Sequence, residues 1–574
     1  MKKILLIIHC SLFVFALSAQ NDEKVNFSGS LQSDMLFPQK DEQIGTGDVT
    51  DKFLSNNYLN LNLGSKFVDA GARLELLPKP LVGFESEFAG AGIPNIYVTG
   101  KYKNYSLTVG NFYDQFGSGF IFRTYEERSL GIDNSLRGAR LVAQPYKGIR
   151  IKILGGSQRI YWNYDKSNAL GFDFSQGAVW GGDLELNINE WFEKLQEKNW
   201  NILLGASFVS RFQPDEEILK NLNEKLNLPK NVAAGDFRLQ VQKGDWSVLA
   251  EYALKANDPS NDNDYIYKKG SALMLSGAYS KKGLSALFQV KRSDNMAFRS
   301  VRSQRGTAAF INHLPAFTQT QTYALAALYP YATQPLGEWA FQGSFGYTFK
   351  KGTKMGGKYG TTFKLNASYI CGIKKTRTRS NGREDAYKEG VDNWGTNGYN
   401  SKFFGFDSTY YTDINLEFSK KISKTFSLSA TYMFQIYNQK VVEKEGHLKK
   451  SHIAIVDLKY QPHNKFALRG EVQYLFAQDM LEFSGYDAKA ERGDWFYALV
   501  EASLFRSLMI YASDLINVGG NGNHYYNGGL TYNIGSHRIG LAYGRTRAGF
   551  NCSGGVCRWV PAYKGIQVSY NVNF

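Results

Sequence analysis

Beyond its first twenty residues, the 574-residue sequence holds no apolar run approaching the ~18–20 residues that a membrane-spanning helix needs. Proline is scarce, at 13 residues, and neither a Pro/Ser-rich linker nor a long disordered tail divides the chain. A string of separate domains is therefore not indicated, despite a length that would allow about four. Seven histidines, among them His313, His447, His452, His463, His524 and His537, show no metal-ligand spacing. Neither a Gly-x-Ser-x-Gly elbow nor a His-Glu-x-x-His pair occurs, so nothing here indicates a hydrolase or a cofactor. Basic residues exceed acidic ones, 67 to 52, but they are scattered among turns and loops rather than gathered in a stripe, which argues against a nucleic-acid partner.

What is abundant points to strands. Aromatic residues reach 15%, glycines number 57, and mean hydropathy is only −0.35. Disordered chains are poor in aromatics, so this one folds. Its apolar residues are spread singly, as on a sheet.

Lys2 and Lys3, the apolar stretch Ile4–Leu17 and then Ser18-Ala19-Gln20 predict a signal peptide cut after Ala19, dividing the chain into 1–19 and 20–574. Loss of the two leader lysines takes the formal charge from +15 to +13. Cys10 suggests lipidation, but His9 spoils that motif. Of the remaining cysteines, Cys552 and Cys557 close a Cys-Ser-Gly-Gly-Val-Cys loop, for which an exported chain predicts a local disulfide. No further Cys or His stands near enough to complete a zinc site. Cys371 reads as a small strand residue.

Residues 566–574, Ile-Gln-Val-Ser-Tyr-Asn-Val-Asn-Phe, alternate strictly, and the same period of two recurs at 426–437, 246–255 and 412–418. These segments run to about 9–12 residues, longer than the strands of a soluble sandwich and suited to a tilted spanning strand. Their polar faces carry Asp, Glu, Lys and Asn mid-strand, as a wet lumen would. Short turns (103–104, 147–148, 243–245, 281–283, 535–536) alternate with longer loops (37–53, 161–176, 212–231, 374–405, 547–563). A terminal Phe574 on an amphipathic strand also resembles the assembly signal of bacterial outer-membrane barrels. The fold class is all-β: a single-chain transmembrane antiparallel barrel of about 24 strands, within a range of about 22–26, with an inward-folded loop or plug. The alternating segments come to about 25, an odd number, and the surplus falls between 293 and 360, where 321–331 is among the predicted strands.

Gly352 to Lys358 matches most of a phosphate-binding loop, but Tyr359 stands where Ser or Thr is needed and no helix follows, so it reads as a strand connection. Asp258, Ser260, Asp262 and Asp264 have oxygen-ligand spacing without a calcium loop's turn Gly and distal Glu. Residues 214–228 place Ile218, Leu219, Leu222 and Leu226 on one helical face after Pro214 and an acidic first turn. They predict a short helix, either a lid on the barrel rim or a docking helix.

The segment 110–140 is the most distinctive. It sets Asp114, Arg123, Glu126, Glu127, Arg128, Asp133, Arg137 and Arg140 among glycines and aromatics. A loop folded into a lumen needs its charges paired, so this set predicts an ion-pair network within a plug over 113–136. Such a network either only holds the loop or also lines the constriction that selects solutes. This stretch, together with Tyr329-Pro330-Tyr331-Ala332-Thr333-Gln334-Pro335 and Gly356-Gly357-Lys358-Tyr359-Gly360-Thr361, closely resembles an uncharacterised family of exported Bacteroidota barrel proteins. The resemblance implies an outer-membrane location and supplies no substrate.

The expected function is a channel or transport barrel for polar solutes, with an anion preference from the +13 charge. It would sit in lipid and lipopolysaccharide, with protein partners possible at the long extracellular loops. The second expectation is a non-transporting barrel subunit of an assembly or secretion complex, docking through loops such as 374–405. An integral enzyme is disfavoured, because no catalytic set stands at matching strand ends.

Overall fold

The structure, a computed structural model, describes residues 25–160, 177–378, 383–479 and 493–574. The predicted signal peptide and the predicted loop 161–176 lie outside these. Among the described residues one antiparallel sheet contains 25 strands. One of them, Glu384–Ala386, makes only three pairs with the end of Thr361–Thr378. The other 24 form the wall, each pairing with its sequence neighbour. The sheet closes on itself through ten pairs, Ser30–Gln39 against Lys564–Asn573. At the seam Gly29 and Phe574 exchange both backbone hydrogen bonds, 2.7 and 2.9 Å.

Closure leaves no unpaired sheet edge, the condition for backbone in a bilayer. The alternation is inverted relative to a soluble protein. In Trp246–Lys255 the side chains of Trp246, Val248, Tyr252 and Leu254 are exposed, while Glu251, Ala253 and Lys255 are buried. Leu107, Val109, Ile153, Phe208, Phe288, Val472 and Val500 continue the outer apolar face. Arg73, Glu75, Asp183, Arg238 and Lys291 are buried inside. No described helix is long and apolar enough to cross a membrane.

Twenty-four of the predicted strands coincide with wall strands; the surplus one, 321–331, does not exist. That segment lies in a connection running from 295 to 336 that folds inward. Its Tyr323, Leu325 and Tyr329 alternate, but its backbone turns, Ala327 N–H reaching Tyr323 O at 2.9 Å. Leu325 and Leu328 pack on Met433, Ile453, Leu475 and Trp495 of the inner wall. The predicted loop 374–405 is shorter than expected, because Thr361–Thr378 and Asn400–Lys421 extend into it. The helix predicted at 214–228 is absent. A hairpin, Leu219–Asn221 with Glu224–Lys225, stands there, turned by Asn221 Oδ1 accepting from Asn223 N–H at 2.9 Å. Its apolar residues serve separate ends: Leu226 and Ile218 pack with Tyr265 and Trp394, while Leu222 is 97% exposed.

Candidate functional site

All the connections on one end of the barrel are turns of two to about a dozen residues, and the inward-folding segments come from the other end. Two of them, 113–135 and 295–336, meet in a dry core inside the lumen. Phe116, Phe120, Ile121 and Phe122 pack there with Phe298, Ile311 and Phe317. The tip turns at Gly117 and Gly119, both with positive φ. A side chain on Gly117 would strike the Glu251 carboxylate at 2.6 Å. Glu251 instead accepts Ser118 N–H, at 3.1 and 3.0 Å, tying the tip to the wall.

The eight charged residues singled out in the sequence fall into separate groups. Glu126, Arg128 and Asp133 join the wall residues Arg73, Glu75 and Arg159. Arg73 pairs with Glu75 at 3.2 Å, with Glu126 at 2.5 Å and with Asp133. Arg159 pairs with Glu75 at 2.5 Å and Asp133 at 2.8 Å. Three guanidinium groups thus face three carboxylates. Tyr113 Oη donates to Asp133 at 2.9 Å, and burial beside that carboxylate raises the phenol's pKa. Burial alone would raise the pKa of Asp133, but Arg73 and Arg159 outweigh it and hold the carboxyl below its usual range.

Asp114 forms a second group with Arg140 at 3.2 Å and Lys152 at 2.7 Å. Arg137 donates to Asn111 Oδ1 and Ile93 O. Glu127 accepts from Ser129 and Ser553. Arg123 lies over the Tyr125 ring at 4.6 Å, near His313, whose pKa burial and then Arg123 and Lys291 push down to about 3. The partners Arg73, Glu75, Lys152 and Arg159 carry no such signal in the sequence, being charges on or just past the end of alternating wall strands outside the 110–140 stretch. The acidic patch at 258–264 holds partners of its own: Asp258 meets Arg211, Asp262 meets Arg299 at 2.7 Å, and Asp264 accepts Gly390 N–H.

Cys552 and Cys557 are bonded, at the tip of the hairpin Gly549–Ser553 and Val556–Val560. This hairpin also enters the lumen. Gly555 O accepts Thr333 N–H at 3.0 Å, Asn551 donates to Ser129 O, and Arg558 meets Glu85. Two cavities remain along the first strand. One, of about 720 Å³, reaches Asn26 and Ser28 and is lined by Asn62, Asp69, Thr99, Lys101, Thr108 and Arg140. The other, of about 400 Å³, reaches Asp34 and Leu36 and is lined by Ser129, Thr531, Gln567 and Ser569. Between them on that strand sits Gln32, whose Oε1 accepts from Arg128 Nη1 at 2.8 Å. Arg128 also lies over the Tyr58 ring, at 4.5 Å, and pairs with Glu126 at 2.6 Å.

The profile described as Family of unknown function (DUF6029) matches residues 1–574. No curated protein is similar to the chain. Among solved structures it is similar to a ferric enterobactin receptor (PfeA) mutant from Pseudomonas aeruginosa in complex with enterobactin, at 11% identity and a TM-score of 0.42, covering 96% of this chain and 82% of that one. The siderophore receptor PirA from Pseudomonas aeruginosa matches at 10% identity and 0.38, covering 96% and 81%. The outer membrane protein OpdK from the same organism matches at 10% and 0.32, covering 96% and 99%.

Proposed function

Because the chain belongs to DUF6029, a family of unknown function, its role has to be read from the lumen itself, and we propose that it is an outer-membrane channel passing small polar solutes through a partly plugged barrel. The observation that carries this reading is the pair of cavities strung along the first strand and parted by the Arg128–Gln32 contact. The larger is lined mainly by amide, hydroxyl and charged groups, which exchange hydrogen bonds with a hydrated solute without trapping it, and the smaller mixes such groups with aliphatic ones such as Leu36, Leu81 and Val560. Arg128 reaches from the plug to the wall at Gln32, between the two cavities, and in this reading it closes the route and sets its charge preference.

A second reading is a non-transporting subunit of an outer-membrane assembly. It is favoured by apolar side chains left open on the loop side, Leu222, Val391 and Phe404, the last 76% exposed. Planar-bilayer recording separates the two. The channel reading expects a small conductance with anion preference in the native barrel, and a larger, less selective one in Arg128→Ala. Silence in both proteins, or cation selectivity in the native one, would overturn it.

A further inference from the structure

The chain's excess positive charge has a definite place. Four consecutive short turns, 282–283, 350–360, 422–425 and 464–465, lie side by side at one end of the barrel, because the strands they join are neighbours in the sheet. They and the strand ends flanking them carry eleven lysines: Lys281 and Lys282; Lys350, Lys351, Lys354 and Lys358; Lys420, Lys421 and Lys424; Lys459 and Lys465. Within the same windows there is no Asp, Glu or Arg. Ten of the eleven are exposed and Lys420 is half-buried. Among the described residues none of them has a carboxylate within ion-pair distance, whereas Lys364, farther up the wall, pairs with Glu417 at 3.1 Å. Turns on adjacent hairpins stand about 10 Å apart, twice the strand spacing, so the lysines sweep an arc of roughly 30 Å.

Two further observations say what covers this arc. Large apolar side chains are interleaved with the lysines: Met355 is 63% exposed between Lys354 and Lys358, and Ile422 is 53% exposed between Lys421 and Lys424. Apart from Lys459, which alternates with the outward Leu458 and Tyr460, the arc also adjoins the outward apolar face of its own strands, where Phe288, Phe345, Tyr347, Phe418 and Tyr460 are exposed. A folded acidic partner would be matched by fixed, bidentate donors, the role of arginine. Lysines are flexible point charges whose stems lie along apolar surface while the ammonium reaches outward, which suits a fluid array of phosphates.

We propose that this rim docks on the anionic headgroups of the phospholipid leaflet at the short-turn side of the barrel. The inference rests on the membrane-spanning part of the reading above and is independent of transport. It also accounts for most of the net charge without assigning it to the lumen.

The test uses the full-length barrel in mixed micelles holding equal amounts of phosphatidylglycerol and phosphatidylcholine, with retained lipids counted by native mass spectrometry. A lysine at an anionic surface is worth about a fivefold change in partition, so the native barrel is expected to keep phosphatidylglycerol at least about fivefold over phosphatidylcholine. The variant K350Q/K351Q/K354Q/K358Q should lose most of that preference, and 0.5 M salt should abolish it in the native protein. The loop-side control K374Q/K402Q/K440Q/K444Q should retain it. Equal retention of both lipids by the native barrel, or equal loss in the loop-side control, would overturn the proposal. A barrel that enters no bilayer would overturn it together with the membrane reading. A barrel that enters bilayers without the lipid preference would overturn the docking surface alone.

Discussion

Replacing Asp133 with Asn tests whether the plug is held by its charges. The carboxylate is 7% exposed and accepts from Arg73, from Arg159 at 2.8 Å, from Tyr113 at 2.9 Å and from its own loop at Ser135 N–H, 3.1 Å. Asparagine keeps the shape but leaves two buried guanidinium groups to Glu75 and Glu126 alone. Breaking a buried pair this way costs about 3–5 kcal/mol. The wall keeps its ladder, so the loss falls on the docking of 113–135, whose open population should rise by about 10²–10⁴-fold. Hydrogen exchange read by mass spectrometry should show amides of 113–135 speeding up by that factor while 136–158 stays protected. The sign of the pH dependence is also set. A carboxyl held below its ordinary range contributes stability that is full above about pH 4 and lost only as pH falls further, so the native–variant difference should be the same at pH 7 and pH 5. Unchanged exchange in 113–135, or equal acceleration in the wall, would refute the reasoning.

His313 should behave in the opposite pH range. Its imidazole is neutral in the fold and protonates near pH 6.5 once exposed, so docking of its loop weakens below pH 6.5, by about 2 kcal/mol at pH 5. In His313→Asn, exchange in 305–316, corrected for intrinsic rates, should no longer differ between the two pH values. The double change Cys552→Ser and Cys557→Ser releases a short loop and should cost its hairpin about 2 kcal/mol, raising exchange in 549–560 and at Thr333 while the wall is unaffected.

The wall was legible because a sheet with lipid on one side and lumen on the other forces a period of two on every strand, as in Trp246–Lys255 and Tyr563–Asn573. The same signal misled at 321–331. There Tyr323, Leu325 and Tyr329 alternate in sequence, but Leu325, Ala326 and Leu328 are what bury on an apolar patch of the inner wall, in a turning segment that lacks a strand partner. At 214–228 a helical spacing of leucines arose from a hairpin whose two ends pack on loops distant in sequence, Tyr265 and Trp394. The ionic plug was visible only on its own side. Asp114, Glu126, Arg128 and Asp133 are crowded into one stretch, whereas Arg73, mid-strand in Val68–Lys79, and Arg159, just past the end of Ile149–Gln158, are wall charges whose partners are set by the folding of the plug into the barrel.

Closure has a consequence for how the molecule is made. The pairing of Ser30–Gln39 with Lys564–Asn573 joins residues separated by more than 500 positions, and Phe574 itself completes the last bonds to Gly29. Every other wall contact joins sequence neighbours, so the cylinder can be laid down hairpin by hairpin but sealed only when Lys564–Asn573 meets Ser30–Gln39. Until then two raw margins persist, each a template for a foreign strand. Loss of the segment Lys564–Asn573 would leave both margins open.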